Sequence, residues 1–197
     1  MLFFIRMGLV LLCGIAVSSC AVQAGPTSTY VLTAVPTVSA KHSHRHVAVL
    51  VTLPDLSPAY NTTEMAYTTQ PYQMSYFVKS GWLEAPSHML QPLIQQTLIN
   101  THAFQAVGAS AAMGHFDYAV NTQILQFEQD FTSARSVFRL GLRVQLLDAV
   151  TNRIIASKDI TVVEPAPQNT PYGGVIAANQ ATSKALMAIA QFCLQRL

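Results

Sequence analysis

Apolar and polar residues alternate with a period of two through much of the chain, and with a helical period in two stretches. The clearest strand is Val137 to Leu146. Phe138, Leu140, Leu142, Val144 and Leu146 share one side, and Arg139, Arg143 and Gln145 share the other. In Phe116 to Phe131 the apolar positions are first even (Phe116, Tyr118, Val120, Ile124) and then odd (Leu125, Phe127, Phe131). That change of parity predicts a bulge or strong twist near Ile124-Leu125. Asp148 to Asn152 reads as a hairpin turn and Arg153 to Val163 as its return strand. Thr29 to Val35, the β-branched run Val47 to Leu53, Met65 to Tyr67 and Ala103 to Val107 read as further strands. Tyr72, Met74, Tyr76 and Val78 alternate with Gln73, Ser75 and Lys79, which predicts a half-buried strand with an apolar face.

Leu90, Leu93, Ile94 and Leu98 fall on one face at helical spacing. Ser87 is the expected N-cap, but Pro92 then lacks a required donor, which argues for a later start or a kink. From Gly174 to the end, Val175, Ala178, Thr182, Ala185, Leu186, Ile189 and Cys193 form a second stripe. Runs of strands with one helix in the middle and one at the end predict a single α+β domain. Its sheet should be twisted and mainly antiparallel, packed against the middle helix and the long C-terminal helix.

The N-terminus follows another logic. Met7 to Val17 is an apolar run behind Arg6, too short to span a bilayer comfortably, and reads as an export signal. It ends Val17-Ser18-Ser19-Cys20, the pattern a lipoprotein signal peptidase requires. Residues 1–19 are therefore expected to be removed, Cys20 to carry lipid, 20–28 to form a tether and 29–197 to be the periplasmic domain. Val22-Gln23-Ala24 also fits ordinary cleavage before Gly25, which would discard Cys20. Ala21 is not Asp, so the inner-membrane retention signal is missing and the outer membrane is the expected destination. Of the three cysteines, Cys13 leaves with the signal and Cys20 is acylated. Cys193 is then alone, and no internal disulfide is expected.

Charged residues make up 10% of the chain and the net charge is +2, which is no footprint for nucleic acid. An exported chain this apolar, with 51% hydrophobic residues, suits a protein packed against partners or a membrane. His42, His44 and His46 alternate, so three imidazoles could meet one zinc or copper ion. Arg45 places a positive charge among them, and a solvated loop is the plainer reading. Glu128 and Asp130 share a strand face, as paired acid–base carboxylates can. The plainer reading is a solvated edge. Gly173-Gly174 reads as a tight turn before the last helix, and Asn179 as a side chain that bonds core backbone. The aromatic set Tyr60, Tyr67, Tyr72, Tyr76, Phe77 and Trp82 is read as core and strand surface. Tyr72, Tyr76 and Trp82 within it are candidates for meeting a partner or a lipid chain.

Several short motifs occur in a telling order. The lipobox precedes Tyr30-Val31-Leu32, the strand ending Leu53-Pro54, Met65-Ala66-Tyr67, Ser75-Tyr76-Phe77 and Trp82. Met89-Leu90-Gln91-Pro92-Leu93-Ile94, Phe127 to Phe131 and Pro171-Tyr172-Gly173-Gly174-Val175-Ile176-Ala177-Ala178-Asn179-Gln180-Ala181 follow. Together they resemble the ABC-type transport auxiliary lipoproteins, partners of MCE-domain lipid transport systems. Gly81 before Trp82 departs from that pattern. The resemblance implies no catalysis and no cofactor beyond the lipid on Cys20. It implies an outer-membrane-anchored domain that meets an MCE-domain protein while lipids or other hydrophobic molecules cross the periplasm. A carrier that binds lipid by itself and a homo-oligomer remain open at this level.

Overall fold

The computed structural model describes residues 28–38 and 45–197. Its strands are β1 (Ser28–Tyr30), β2 (Arg45–Val51), β3 (Asp55–Leu56), β4 (Glu64–Thr68), β5 (Ser75–Trp82), β6 (Phe104–Gly108), β7 (Tyr118–Asp130), β8 (Val137–Asp148) and β9 (Arg153–Pro165). Two α-helices are described, α1 (Pro86–Asn100) and α2 (Pro171–Arg196).

The α+β expectation holds, and the sheet is mixed. Its long ladders are antiparallel. β7 pairs β8 from Tyr118↔Asp148 to Asp130↔Val137, and β8 pairs β9 over its whole length. The other edge of β7 is shared by three short parallel strands in succession. β2 takes Tyr118 to Val120, β3 takes Gln123 and Ile124, and β4 takes Gln129 and Asp130. From there the sheet forks. β6 extends one branch beside β2, while β5 and then β1 extend the other beyond β4.

The expected break in β7 is present as a register shift between Ile124 and Gln126. It turns Val120, Ile124 and Phe127 all inward despite their mixed parity, and leaves Leu125 outside. Phe138, Leu140, Leu142, Val144 and Leu146 are all buried, as their alternation predicts. α2 packs on β8 and β9 and also touches α1, which lies on β6 and β2. Its inner stripe is buried from Gly173 to Cys193 and is rich in alanine. Small side chains let a helix approach a sheet closely, and alanine favours helix intrinsically.

α2 begins three residues before Gly174. Thr170 is its N-cap, accepting the Gly173 amide at 3.0 Å, and Pro171 occupies the first turn. Gly173 and Gly174 thus belong to the helix, and close approach explains both. A Cβ on Gly173 would lie 2.1 Å from the Gln168 carbonyl oxygen, and one on Gly174 2.1 Å from the Gln129 side-chain oxygen. α1 also departs from expectation. It starts at Pro86 after Ala85, and Ser87 is a buried first-turn residue rather than the cap. Pro92 sits inside the helix on its exposed side, in line with His88, so the carbonyl it frees faces solvent.

Candidate functional site

The aromatic segment 60–82 is divided between core and surface. Trp82 is 3% exposed and packs against Phe127, with ring centroids 5.4 Å apart. Tyr60 is also buried. Burial, followed by the nearby Glu128 charge, pushes its hydroxyl up to about 12. Tyr76 is half-buried, and its hydroxyl donates to the Ala59 carbonyl at 2.8 Å, bracing the segment before β4. Tyr67 and Phe77 stack at 4.4 Å, with Phe131 edge-on to both. Tyr72 is fully exposed. Tyr72, Tyr76 and Trp82 therefore do not form one surface.

The half-buried strand expected from Tyr72 to Val78 needs correction. β5 begins only at Ser75, and residues 69–74 form a turn. Tyr72, Met74 and Val78 point outward, at 108%, 38% and 80% exposure. The turn is closed by the Gln73 amide donating to the Gln70 carbonyl at 3.3 Å. Pro71 and Tyr72 are its central residues, and Tyr72 has φ +66°. A β-turn of this kind favours glycine or asparagine at that place, because a Cβ is strained there. Tyr72→Gly should therefore raise stability by about 0.5–1 kcal/mol. Urea denaturation of the two proteins will measure the difference, and a less stable glycine variant would show that the Tyr72 ring makes a stabilising contact.

Glu128 and Asp130 share a face, as their spacing predicts, but that face is covered rather than a solvated edge. Both are largely buried. Glu128 accepts from Gln126 at 2.8 Å and Thr68 at 3.3 Å. Asp130 accepts from the Thr132 amide at 2.7 Å and from Arg139 Nε at 2.6 Å. Burial alone would raise the Asp130 carboxyl. The bonds from Thr132 and Arg139 outweigh it and hold the group below its ordinary value of 3.8. These carboxylates are engaged in structure, and no acid–base geometry results.

Because the folded pKa of Asp130 is depressed, its contribution to stability is complete above 3.8 and is lost as pH falls through the folded value. Arg139→Met removes one partner of a pair whose other member is nearly buried. The expected cost at neutral pH is about 1–2 kcal/mol, between exposed and fully buried pairs. Chemical denaturation at neutral pH and again below the folded value should show the gap narrowing in acid. A gap independent of pH would assign the loss to packing of the Arg139 stem.

His46 is exposed on β2, while His42 and His44 lie outside the described residues. Among the described residues no three His, Cys, Asp or Glu side chains gather as metal ligands. Arg45 has a different task from crowding a metal. Its Nη2 donates to the Leu194 carbonyl at 2.5 Å, placing a cation at the C-terminal end of α2, where the helix dipole is negative. Nothing in the sequence around the histidines signals that contact, because its partner is 149 residues away. Asn179 behaves as expected. Its side chain accepts from the Thr33 and Ala34 amides and donates to the Val31 and Val175 carbonyls, tying the segment after β1 to α2. Cys193 is fully buried, and burial pushes its thiol up to about 12, which keeps it unreactive.

Glu128, Asp130 and Arg139 are thus committed to internal contacts, while exposed apolar side chains occur at both the β4–β5 turn (Tyr72, Met74, Val78) and the β8–β9 turn (Val150, Ile154, Ile155). The fold is that of a single α+β domain. The chain belongs to the family of ABC-type transport auxiliary lipoprotein components, whose match spans residues 30–190. No curated protein matches it. Its fold is similar to a crystal structure of a DUF330 protein from Xanthomonas campestris (19% identity, 85% of this chain and 95% of that one, TM-score 0.74). It is also similar to an uncharacterized protein (13%, 85% and 99%, TM-score 0.69). A hypothetical protein from Chlamydia trachomatis is more distant (10%, 77% and 98%, TM-score 0.53). At such identities these likenesses establish the fold alone.

Proposed function

We propose that this chain is the outer-membrane-anchored lipoprotein subunit of an MCE-type ABC transport system that moves lipids or other hydrophobic molecules across the periplasm. The family match over residues 30–190 carries this reading, because it makes the chain an auxiliary component of ABC-type transport. The lipobox at Cys20 supplies the anchor, and Ala21 favours the outer membrane. The domain contributes a surface rather than chemistry. A carrier that binds lipid alone needs an internal space for acyl chains. Between sheet and helices that space is filled by Phe127, Leu140, Leu142, Leu186 and Ile189, each at most 2% exposed.

Affinity purification of the tagged, membrane-extracted protein in gentle detergent tests the partnership. An MCE-domain protein should be recovered in proportion to the bait. Repeated recovery of the lipoprotein alone, from membranes that contain the MCE protein, would reject it.

A further inference from the structure

The β4–β5 turn leaves the sheet at the C-terminal end of β7, beside the β7–β8 connection. β4 pairs β7 only through Tyr67 and Thr68, at the last residues of β7, and β1 covers β5 only from Ser80 to Trp82. Ser75 and Tyr76 already pair Tyr67 and Ala66, so the turn residues 69–74 are the part that projects past the body of the sheet. From Met65 to Val78 there is no charged side chain, and Glu64 and Lys79 bracket the stretch. At its turn, Tyr72 is held fully exposed at a strained φ, with Met74 and Val78 outward beside it.

β1 fixes the direction in which the chain enters the domain at Ser28. Ser28 pairs Ser80 and the strands are parallel, so the chain reaches Ser28 from the side of the β4–β5 turn. Ser28 is eight positions after Cys20, a span of at most about 29 Å. From Ser80 back to Met74 is at most about 20 Å, shortened by the bulge in β5 opposite Glu64 and Ala66. The lipid on Cys20 and the hairpin turn can therefore reach one plane.

We infer that the β4–β5 turn, led by Tyr72 and Met74 with Val78 behind them, seats in the interfacial layer of the membrane that holds Cys20. This rests on the lipidation reading above. A tyrosine ring suits the headgroup level, with its apolar body toward the chains and its hydroxyl in water. Residues 65–78 carry no charge to dehydrate, and the exposed Arg135 in the β7–β8 connection at this end suits the phosphate level. The acyl anchor keeps the turn at high local concentration beside the bilayer, so a few side chains suffice. The result is orientation. Tyr118 pairs Asp148, so the β8–β9 turn sits at the opposite end of β7, about 40 Å away, and faces the periplasm.

Full-length protein purified from membranes and reconstituted in phosphatidylethanolamine–phosphatidylglycerol vesicles tests this. Tyr72→Cys and Val150→Cys each place an environment-sensitive fluorophore at an exposed site, while buried Cys193 stays unlabelled. The mass of the N-terminal peptide first establishes whether Cys20 is acylated. The expected result is blue-shifted emission and quenching by lipid-borne nitroxides at 72, with water-like emission at 150. An acylated protein with water-like emission at 72, or equal quenching at both sites, overturns the inference and leaves the anchor standing. So does a blue shift at 72 that requires added MCE protein, which makes the turn a protein contact. An unacylated N-terminus at Gly25 removes the anchor and the inference together, and that outcome is read from the mass rather than the fluorescence.

Discussion

Replacing Cys20 with serine should move the protein from the membrane pellet to the soluble periplasmic extract. Serine fits the same small site but offers no thiol for the diacylglycerol. Each buried methylene contributes about 0.8 kcal/mol, and one chain gives only reversible binding, whereas two hold a protein firmly. The change in partition should therefore be nearly complete. Among the described residues no helix is long and apolar enough to cross a membrane, so the domain offers no spanning helix to replace the lipid. A few side chains at a hairpin turn orient an anchored protein but do not retain a free one. Fractionation with a high-salt wash, followed by blotting, checks the result. A serine variant that has lost its signal and is still held as firmly as the parent would sink the lipid anchor, and a parent N-terminus at Gly25 would point to cleavage after Val22-Gln23-Ala24.

Phe127→Ala should destabilise the domain by about 3–5 kcal/mol, a large share of the 5–15 kcal/mol that holds an ordinary domain together. Phe127 is 2% exposed and lies just past the bulge in β7, between Trp82 of β5 at 5.4 Å and Phe138 of β8 at 5.0 Å. Its removal leaves a cavity and also loses two aromatic contacts of about 0.5–1.5 kcal/mol each within that total. Trp82 is the only tryptophan, so its emission reports the change directly. Leu125→Ala is the control. Leu125 sits on the outer side of the bulge at 44% exposure, and its loss should cost under about 1 kcal/mol. Urea denaturation followed at Trp82 would measure both. Equal costs for the two variants would refute the inward turn of Phe127.

The long meander was legible because alternation reports which face is buried. Phe138 to Leu146 and the parity change at Ile124 needed only a period of two, and the α2 stripe a period of 3.6. Strand neighbours were less legible. A buried β-branched run such as Val47 to Leu53 looks the same whether its partner is parallel or antiparallel, so the short parallel pairings of β2, β3 and β4 with β7 left no mark in the pattern. Tyr72, Met74 and Val78 misled for a related reason. Alternation defines a face but not what covers it, and among the described residues this end of β5 has no strand on its outer side. Glu128 and Asp130 misled in the opposite sense. Their cover comes from Arg139 across the β7–β8 hairpin and from Tyr60, whose distance in sequence no local pattern spans. Pro92 was read as requiring a later start or a kink, but a proline on the wet side of a helix loses one bond that water replaces.

The sharing of one β7 edge by three earlier strands has a consequence for timing. β2, β3 and β4 lie some 60–70 positions before their partners on β7. In a chain delivered N-terminus first, the apolar strand Val47 to Val51 emerges long before Tyr118 to Val120 exist to receive it. β7, β8, β9 and α2 follow one another through tight connections and can assemble as they arrive. The first half of the domain is then the last to become ordered, and its strands must be shielded until the second half is complete.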